Sequence, residues 1–342
     1  MNETYFIGID LGTQSSFWVI QDDKGKVIKQ MKAANERPVI EMILAPYRSC
    51  QIHVVMEATT SYFWMYRTLK DLGCQVILAH PLKTRAIASA KIKNDRLDAS
   101  ILCHLLRAGL IPQSYIPTDE IRVLREIARQ HIRLVRIRTK IKNQCHALLV
   151  KLNLRPTVVY TDLFGKKGRE WLRSIAFPPV FELQKNQCLD QIEYYNHLIE
   201  QINRQMEGVL KTFPQSETLL KIPGIGFLGA TMILGEIGDI HRFPSSKQLV
   251  GYAGIAPGLY ESAKTSHSRG ITHEGNKYLR WILCEMAQHH VRKPGLLRNF
   301  YLRLKDKKGH GKAIVATARK LLVYIYYTLK GEVKKTEFAF AG

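Results

Sequence analysis

The spacing of apolar residues changes twice along this chain. In the first third it has the short, continuous runs of buried strands: Tyr5-Phe6-Ile7-Gly8-Ile9 and Ile52-His53-Val54-Val55-Met56. Strands are expected at about 4–10, 15–21 and 26–31, with Asp22-Asp23-Lys24-Gly25 as a turn. A helix is expected near 38–47, then a strand ending at Glu57, a helix near 61–72 and a strand at Gln75–Ala79. Pro81 opens a further helical stretch, and Asp95–Arg107 reads as the next helix. Three strands in a meander followed by alternating elements predict a mixed α/β layer.

From 119 to 152 the rhythm becomes helical. Ile121, Leu124, Ala128, Leu134, Ile137, Ile141, Cys145 and Leu148 form an approximate stripe, while Arg122, Arg125, Arg129, Arg133 and Arg136 recur every three or four residues along one face. A stretch punctuated by Pro and Gly follows, from Arg155-Pro156 to Pro178-Pro179, containing the basic Lys166-Lys167-Gly168-Arg169. Then Ile192, Tyr195, Ile199, Ile202, Met206 and Val209 recur at coiled-coil spacing. That seam serves either dimerisation or a helical hairpin within the chain. The final part opens on Ile222-Pro223-Gly224-Ile225-Gly226 ahead of a helix-prone run. Gly224 and Gly226 fit a helix–hairpin–helix turn whose N–H groups approach DNA phosphate, and fit equally a plain turn between core helices. Irregular sequence over 251–275 precedes two more helices. The expected architecture is α/β plus α, divided at 1–110, 111–215 and 216–342.

Charge adds a partner. Lysine and arginine number 51 against 29 acidic residues, for a net +22. Residues 1–110 hold 14 basic and 10 acidic residues, and 111–342 hold 37 and 19, so the excess lies outside the α/β layer. Such a surface attracts phosphate backbones through counterion release. Six cysteines without a CxxC pair predict reduced thiols in a cytoplasm and no structural zinc. No apolar run reaches membrane-spanning length, so no membrane partner is expected.

The candidate chemistry is carboxylate. Asp10 and Glu57 each end an apolar strand, and Asp95 and Asp98 share one helix face at i and i+3. Brought together, as in a ribonuclease H-type site, the four would hold two Mg²⁺ ions for phosphodiester displacement.

Taken in order, these motifs resemble the DEDD-type insertion-sequence transposase/recombinase superfamily, whose members are guided by a bridge RNA and have Piv-type DNA invertases as relatives. Lys93-Asn94-Asp95-Arg96-Leu97-Asp98-Ala99 is close to the family's KTDRxDA. Gly235-Glu236-Ile237-Gly238-Asp239, Gly251-Tyr252-Ala253-Gly254-Ile255-Ala256-Pro257, Gly275-Asn276-Lys277-Tyr278-Leu279-Arg280 and Ala316-Thr317-Ala318-Arg319-Lys320-Leu321 carry the rest. The resemblance implies an N-terminal RuvC-like domain, a central helical coiled-coil region and a C-terminal, mainly helical transposase domain. It also implies a serine nucleophile in the loop after the Ala-Pro dipeptide. Ser262 occupies that position, with alanine where the family has glycine, and Ser266 and Ser268 are the nearest substitutes. Arg269, Lys277 and Arg280 flank it as strand-binding candidates; Asn276 is expected to cap a helix. Implied partners are donor and target DNA, a guide RNA, and further copies of the chain as a homodimer assembling to a tetramer on DNA.

Three rivals remain. A RuvC-like junction endonuclease would use the same carboxylates with water as nucleophile. A nucleic-acid-binding protein with a decayed site would not need all four acids. A sugar kinase would share the Gly8–Thr13 turn, but the chain lacks the second acidic-glycine loop and the adenosine motif of that class.

Overall fold

The computed structural model describes residues 3–59, 61–88, 94–156, 158–262, 265–271 and 275–332, with only the backbone described over 258–270. The chain forms two compact units, 1–116 and 117–342.

The first unit is built on a mixed five-stranded sheet. Strands β1 (Thr4–Leu11), β2 (Ser15–Gln21) and β3 (Val27–Ala34) make an antiparallel meander. β4 (Gln51–Glu57) adds parallel to β1, and β5 (Gln75–Ala79) parallel to β4, giving the order β3-β2-β1-β4-β5. Side chains alternate across a strand, so β1 and β4 each feed two cores. Ile7, Ile9, Val54 and Met56 pack with α1 (Arg37–Leu44) and α2 (Tyr62–Asp71) on one face. Val19 and Val55 lie on the other face, where Ala99, Leu102, Cys103 and Leu106 of α4 (Asp95–Arg107) cover them. The short α3 (Pro81–Ile87) lies between β5 and α4 in sequence. Every expected strand and helix of this part is present, within a few residues of its expected ends.

The second unit is mainly helical, and it merges two parts that the sequence pattern separates. Helix α5 (Asp119–Lys151) packs along α7 (Pro179–Leu210), with α6 (Lys166–Ser174) between them in sequence. Ile192, Ile199 and Met206 of the coiled-coil seam are buried in this hairpin, so these seam positions find their partner within the chain, while Tyr195, Ile202 and Val209 stay half-buried. Ile137 is 41 % exposed and does not join the α5 stripe; Ile132, one turn and a half earlier, is buried instead. The division expected at 215 also disappears. Leu124, Ala128 and Ile132 of α5 and Leu210 of α7 share one core with Ile233 and Ile237 of the later helices. Those helices are α8 (Pro214–Leu220), α9 (Phe227–Ile237), α10 (Ser246–Tyr252), α11 (Lys277–His290), α12 (Leu296–Lys308) and α13 (His310–Lys330). Between α10 and α11 stands a two-stranded antiparallel ribbon, β6 (Pro257–Ser262) and β7 (Thr265–Ile271). No helix among the described residues is long and apolar enough to cross a membrane.

Two histidines are expected to make this unit acid-sensitive. Burial holds His131 below its ordinary pKa of 6.5, helped by Arg138; burial, then His289 and Lys293, do the same to His290. The unfolded chain therefore takes up protons first, and stability present at neutral pH declines as pH falls below about 6.5. The midpoint of urea unfolding of the full chain should be lower at pH 5.5 than at pH 7.5, and His131→Gln should reduce that difference.

Candidate active site

The acidic cleft lies wholly in the first unit. Ile9 pairs with Met56 in the parallel β1–β4 register, so Asp10 and Glu57 are the next residues on adjacent strands. Alternation puts both on the α4 face, opposite the Ile9–Met56 core. Asp10 also pairs with Phe17, and Phe17 with Lys32, which brings a lysine of β3 to the same face. Asp10, Asp95 and Lys32 line one open cavity of about 550 Å³ together with the Gly12–Ser15 loop. Glu57 and Asp98 are half-buried and lie outside this lining.

Asp95 reaches the cleft because α4 lies directly on β1. A Cβ on Gly8 would overlap the carbonyl oxygen of Ala99 and stand 2.6 Å from the Cys103 nitrogen. The Cys103 thiol donates to the Phe6 carbonyl at 3.1 Å, and burial pushes its pKa to about 12, so it is a packing group and not a reactive thiolate. Asn94 caps α4 by accepting from Arg96 N at 3.0 Å, which sets Asp95 and Asp98 in the first turn. Gly8→Ala should cost about 1–3 kcal/mol through overpacking, and should reduce activity further than that loss of folded protein explains, since α4 carries two of the carboxylates. Thermal unfolding beside a cleavage assay at a temperature where the variant is folded checks both parts.

The floor of the cleft is braced by residues that motif reading passed over. Gly12 O accepts from Asn35 Nδ2 at 3.0 Å and from Ser61 Oγ at 3.4 Å, and Ser16 Oγ donates to Asn35. The four carboxylates are hard oxygen donors, the chemistry that suits a divalent cation of the Mg²⁺ type. No three ligating side chains converge on one point among the described residues; Asp10 and Asp95 are the two of the four carboxylates that line this cavity.

Ser262 belongs to the second unit, as the last residue of β6 paired with Thr265. Its side chain lies outside the described residues, as do those of Ser266, Ser268 and Arg269. Asn276 caps α11, accepting from Tyr278 N at 3.1 Å and Leu279 N at 3.0 Å, as expected. Lys277 is exposed, with its Nζ 5.5 Å from the Tyr278 ring centre. Arg280 is half-buried and donates to Ala253 O at 3.5 Å.

The arginine face of α5 is not a uniform phosphate ridge. Arg129 makes a bidentate pair with Glu236 at 2.8 and 2.9 Å, and Arg125 donates to Gly235 O at 3.0 Å with Glu236 Oε2 at 3.6 Å. Burial opposes the charge on Arg129 while the Glu236 carboxylate favours it, and the balance raises its pKa. These two guanidinium groups are therefore structural, a correction with a simple cause: a buried carboxylate draws the nearest cations inward. Arg133 and Arg136 are exposed, Arg133 donating to Gln130 at 2.8 Å, and Arg122 pairs with Asp119 at 3.5 Å. Lys166 and Lys167 are exposed at the start of α6. The signal for the missed role of Glu236 was available: it is the lone acid within the apolar run of α9.

Gly224 has φ +78° and Gly226 caps α9, so the turn does join two core helices. It also faces a groove of about 740 Å³ lined by Arg292, Lys293 and Arg298. The plain-turn reading therefore holds, and the turn also borders a basic groove.

Comparison with known proteins gives the family. Residues 7–154 match the model of a DEDD transposase family, and 216–302 match a model described as transposase IS116/IS110/IS902 family. The chain is similar to the transposase for insertion sequence element IS1328 of Yersinia enterocolitica, at 27 % identity over 86 % of each chain. It is also similar to the transposase for IS1111A of Coxiella burnetii, 24 % identical over 94 % of this chain and 88 % of that protein. A third relative is the transposase for IS1533 of Leptospira borgpetersenii, 22 % identical over 86 % of this chain and 87 % of that protein.

Proposed function

This chain belongs to the IS110/IS116/IS902 transposase family, with a DEDD N-terminal domain and a Transposase_20 C-terminal domain, and we propose that it cuts and rejoins DNA through a serine nucleophile. A DEDD transposase is a divalent-metal-dependent enzyme of DNA cutting and joining. The observation that carries the reading is the pairing of Asp10 with Asp95 in one cavity, beside Glu57 on the neighbouring strand end, in a RuvC-like order of elements.

Asp10 and Asp95 would hold the first ion, with Glu57 and Asp98 as the remaining ligands, and Mg²⁺ suits such a set. When bound, the metal neutralises charge on the scissile phosphate and eases departure of the leaving oxygen. Lys32 lines the same cavity and offers a cation to a phosphate oxygen. Ser262 Oγ forms a bond to phosphorus as one P–O bond of the backbone breaks. The serine proton passes to a base, and the leaving oxygen becomes a hydroxyl. The phosphoserine link keeps the phosphodiester bond energy for rejoining, by the reverse attack of a DNA hydroxyl.

Exchange between two DNAs needs several such sites, hence an oligomer, proposed as a homodimer assembling to a tetramer with the acidic cleft and the serine from different subunits. Exposed Arg133, Arg136, Lys166 and Lys167 are proposed to contact the backbone of a guide RNA, and Lys277, Arg280, Arg269 and the Gly224–Gly226 turn that of DNA.

A trapping assay tests the nucleophile. Protein, Mg²⁺, supercoiled donor and target DNA, and RNA co-purified from the expressing cell are mixed, and the products are resolved in denaturing gels. Wild type should give an SDS-resistant protein–DNA adduct and RNA-dependent recombinants, and Ser262→Ala should give neither. Cleavage that survives Ser262→Ala would mean water or another residue attacks.

A further inference from the structure

Glu236 is 1 % exposed, in a helix whose residues from Gly229 to Ile237 are all buried. A carboxylate at such a position is expensive, and apolar residues replacing it together with its cationic partners would pack there at less cost. Its contacts show where its specificity goes. Oε1 accepts from Arg129 of α5 at 2.8 Å. Oε2 accepts from Arg129 at 2.9 Å and from Asn276 Nδ2 at 2.7 Å. The Glu236 backbone carbonyl accepts from the Tyr252 hydroxyl at 3.0 Å, and Asn276 Nδ2 also reaches that hydroxyl at 3.3 Å.

Tyr252 and Asn276 are the two roots of the β6–β7 ribbon. The chain leaves α10 at Tyr252 shortly before Pro257, and enters α11 after Asn276, shortly beyond Ile271. The roots are also tied directly, Asn276 N donating to Tyr252 O at 2.8 Å. Gly275, at φ +139°, allows this approach: a Cβ there would stand 2.6 Å from Tyr252 O and 2.8 Å from Gly254 N. A lone two-stranded ribbon has little stability of its own, so its direction is set where it is rooted. Three motifs separated in sequence (Gly235-Glu236, Tyr252 to Gly254, and Gly275-Asn276) meet at this one point.

We infer that Glu236 is a positioning residue for the Ser262 ribbon, a charged clasp that holds both roots against α5 and α9. The clasp acts through Asn276 and Tyr252 and does not touch DNA. The inference rests on the reading of Ser262 as nucleophile only for its effect on rate. Its effect on the ribbon is independent of that reading.

The test reverses the polarity of one bond. Asn276→Asp opposes two carboxylates while keeping a good helix cap, and Glu236→Gln weakens the hold on Arg129. The double variant Glu236→Gln/Asn276→Asp restores a donor–acceptor pair with the total charge of wild type. Amide hydrogen exchange of 257–271 is measured beside that of α9, together with DNA affinity and the single-turnover rate of adduct formation in full-length protein. The expected result for Asn276→Asp is faster exchange in the ribbon than in α9 and an adduct rate lower by roughly 10²-fold at unchanged DNA affinity, both largely recovered in the double variant. The clasp is overturned if ribbon exchange stays at wild-type values in both single variants, or if the double variant recovers neither quantity. Should Asn276→Asp fail to fold, Tyr252→Phe, which removes one hydroxyl, is read in the same way. If wild type forms no Ser262 adduct, the nucleophile assignment fails, and ribbon exchange still decides the clasp.

Discussion

Asp10→Ala should lower DNA cleavage and joining by roughly 10³-fold or more, with the thermal transition of the protein nearly unchanged. The two halves of this expectation have separate causes. Asp10 sits on the α4 face of β1, half-buried at the mouth of an open cavity, so its side chain fills no core. The strand is held by ladders to β2 and β4, which are backbone interactions and survive the substitution. Loss of the carboxylate would remove one of the two proposed ligands that share the cavity, and Asp95 alone is a poor site for a divalent cation. Asp95→Ala should match it. Lys32→Ala should be milder and should act on DNA affinity more than on the rate of the bound complex. Single-turnover cleavage at saturating DNA, with Mg²⁺ varied, separates these effects; an Asp10→Ala protein retaining a tenth of wild-type rate would remove the cleft from the mechanism.

Glu236→Ala is expected to be the most destabilising single change in the second unit, at about 3–5 kcal/mol. The figure is not the worth of an ion pair. Arg129 and Arg125 have side chains only 27 % and 17 % exposed, and removing their partner leaves two cations partly out of water beside an apolar helix. Asn276 loses its strongest acceptor at the same time. Because each single change strands the other's charge, Arg129→Ala with Glu236→Ala should cost less than the two costs added. Equilibrium denaturation of the four proteins of that cycle measures the coupling; additivity would mean that the pair is solvated and contributes little.

The N-terminal sheet was legible because buried strands and their ends leave local marks. Tyr5–Ile9 and Ile52–Met56 are apolar runs closed by an acid, and the meander turns are short and polar. The helix Asp95–Arg107 was readable to the residue, since its cap and apolar period are both local. The arginines of α5 were read less well. Period predicted that five would share a face, and they do lie on one helix, but a face is not a fate. Which guanidinium meets solvent depends on the neighbouring helix, and Glu236 lies more than a hundred residues away in sequence. The α7 seam shows the same limit. Its heptad spacing declares that the helix needs a partner, and nothing in that spacing says whether the partner is α5 or a second chain.

The sequence by itself therefore determined the N-terminal elements and the family, and named four candidate carboxylates, each written in contiguous residues or in motif order; the β6–β7 ribbon, in a stretch that reads as irregular, came only with the structure. Tertiary structure decided what those elements do to one another. It set α4 on Gly8 so that Asp95 shares a cavity with Asp10, while Glu57 and Asp98 remain outside that lining. It turned Arg125 and Arg129 inward and brought Tyr252 and Asn276 together at Glu236. The physical reason is range. Propensity, period and capping act over a few residues, whereas burial of a charge and the close approach of two backbones are settled only by what packs opposite.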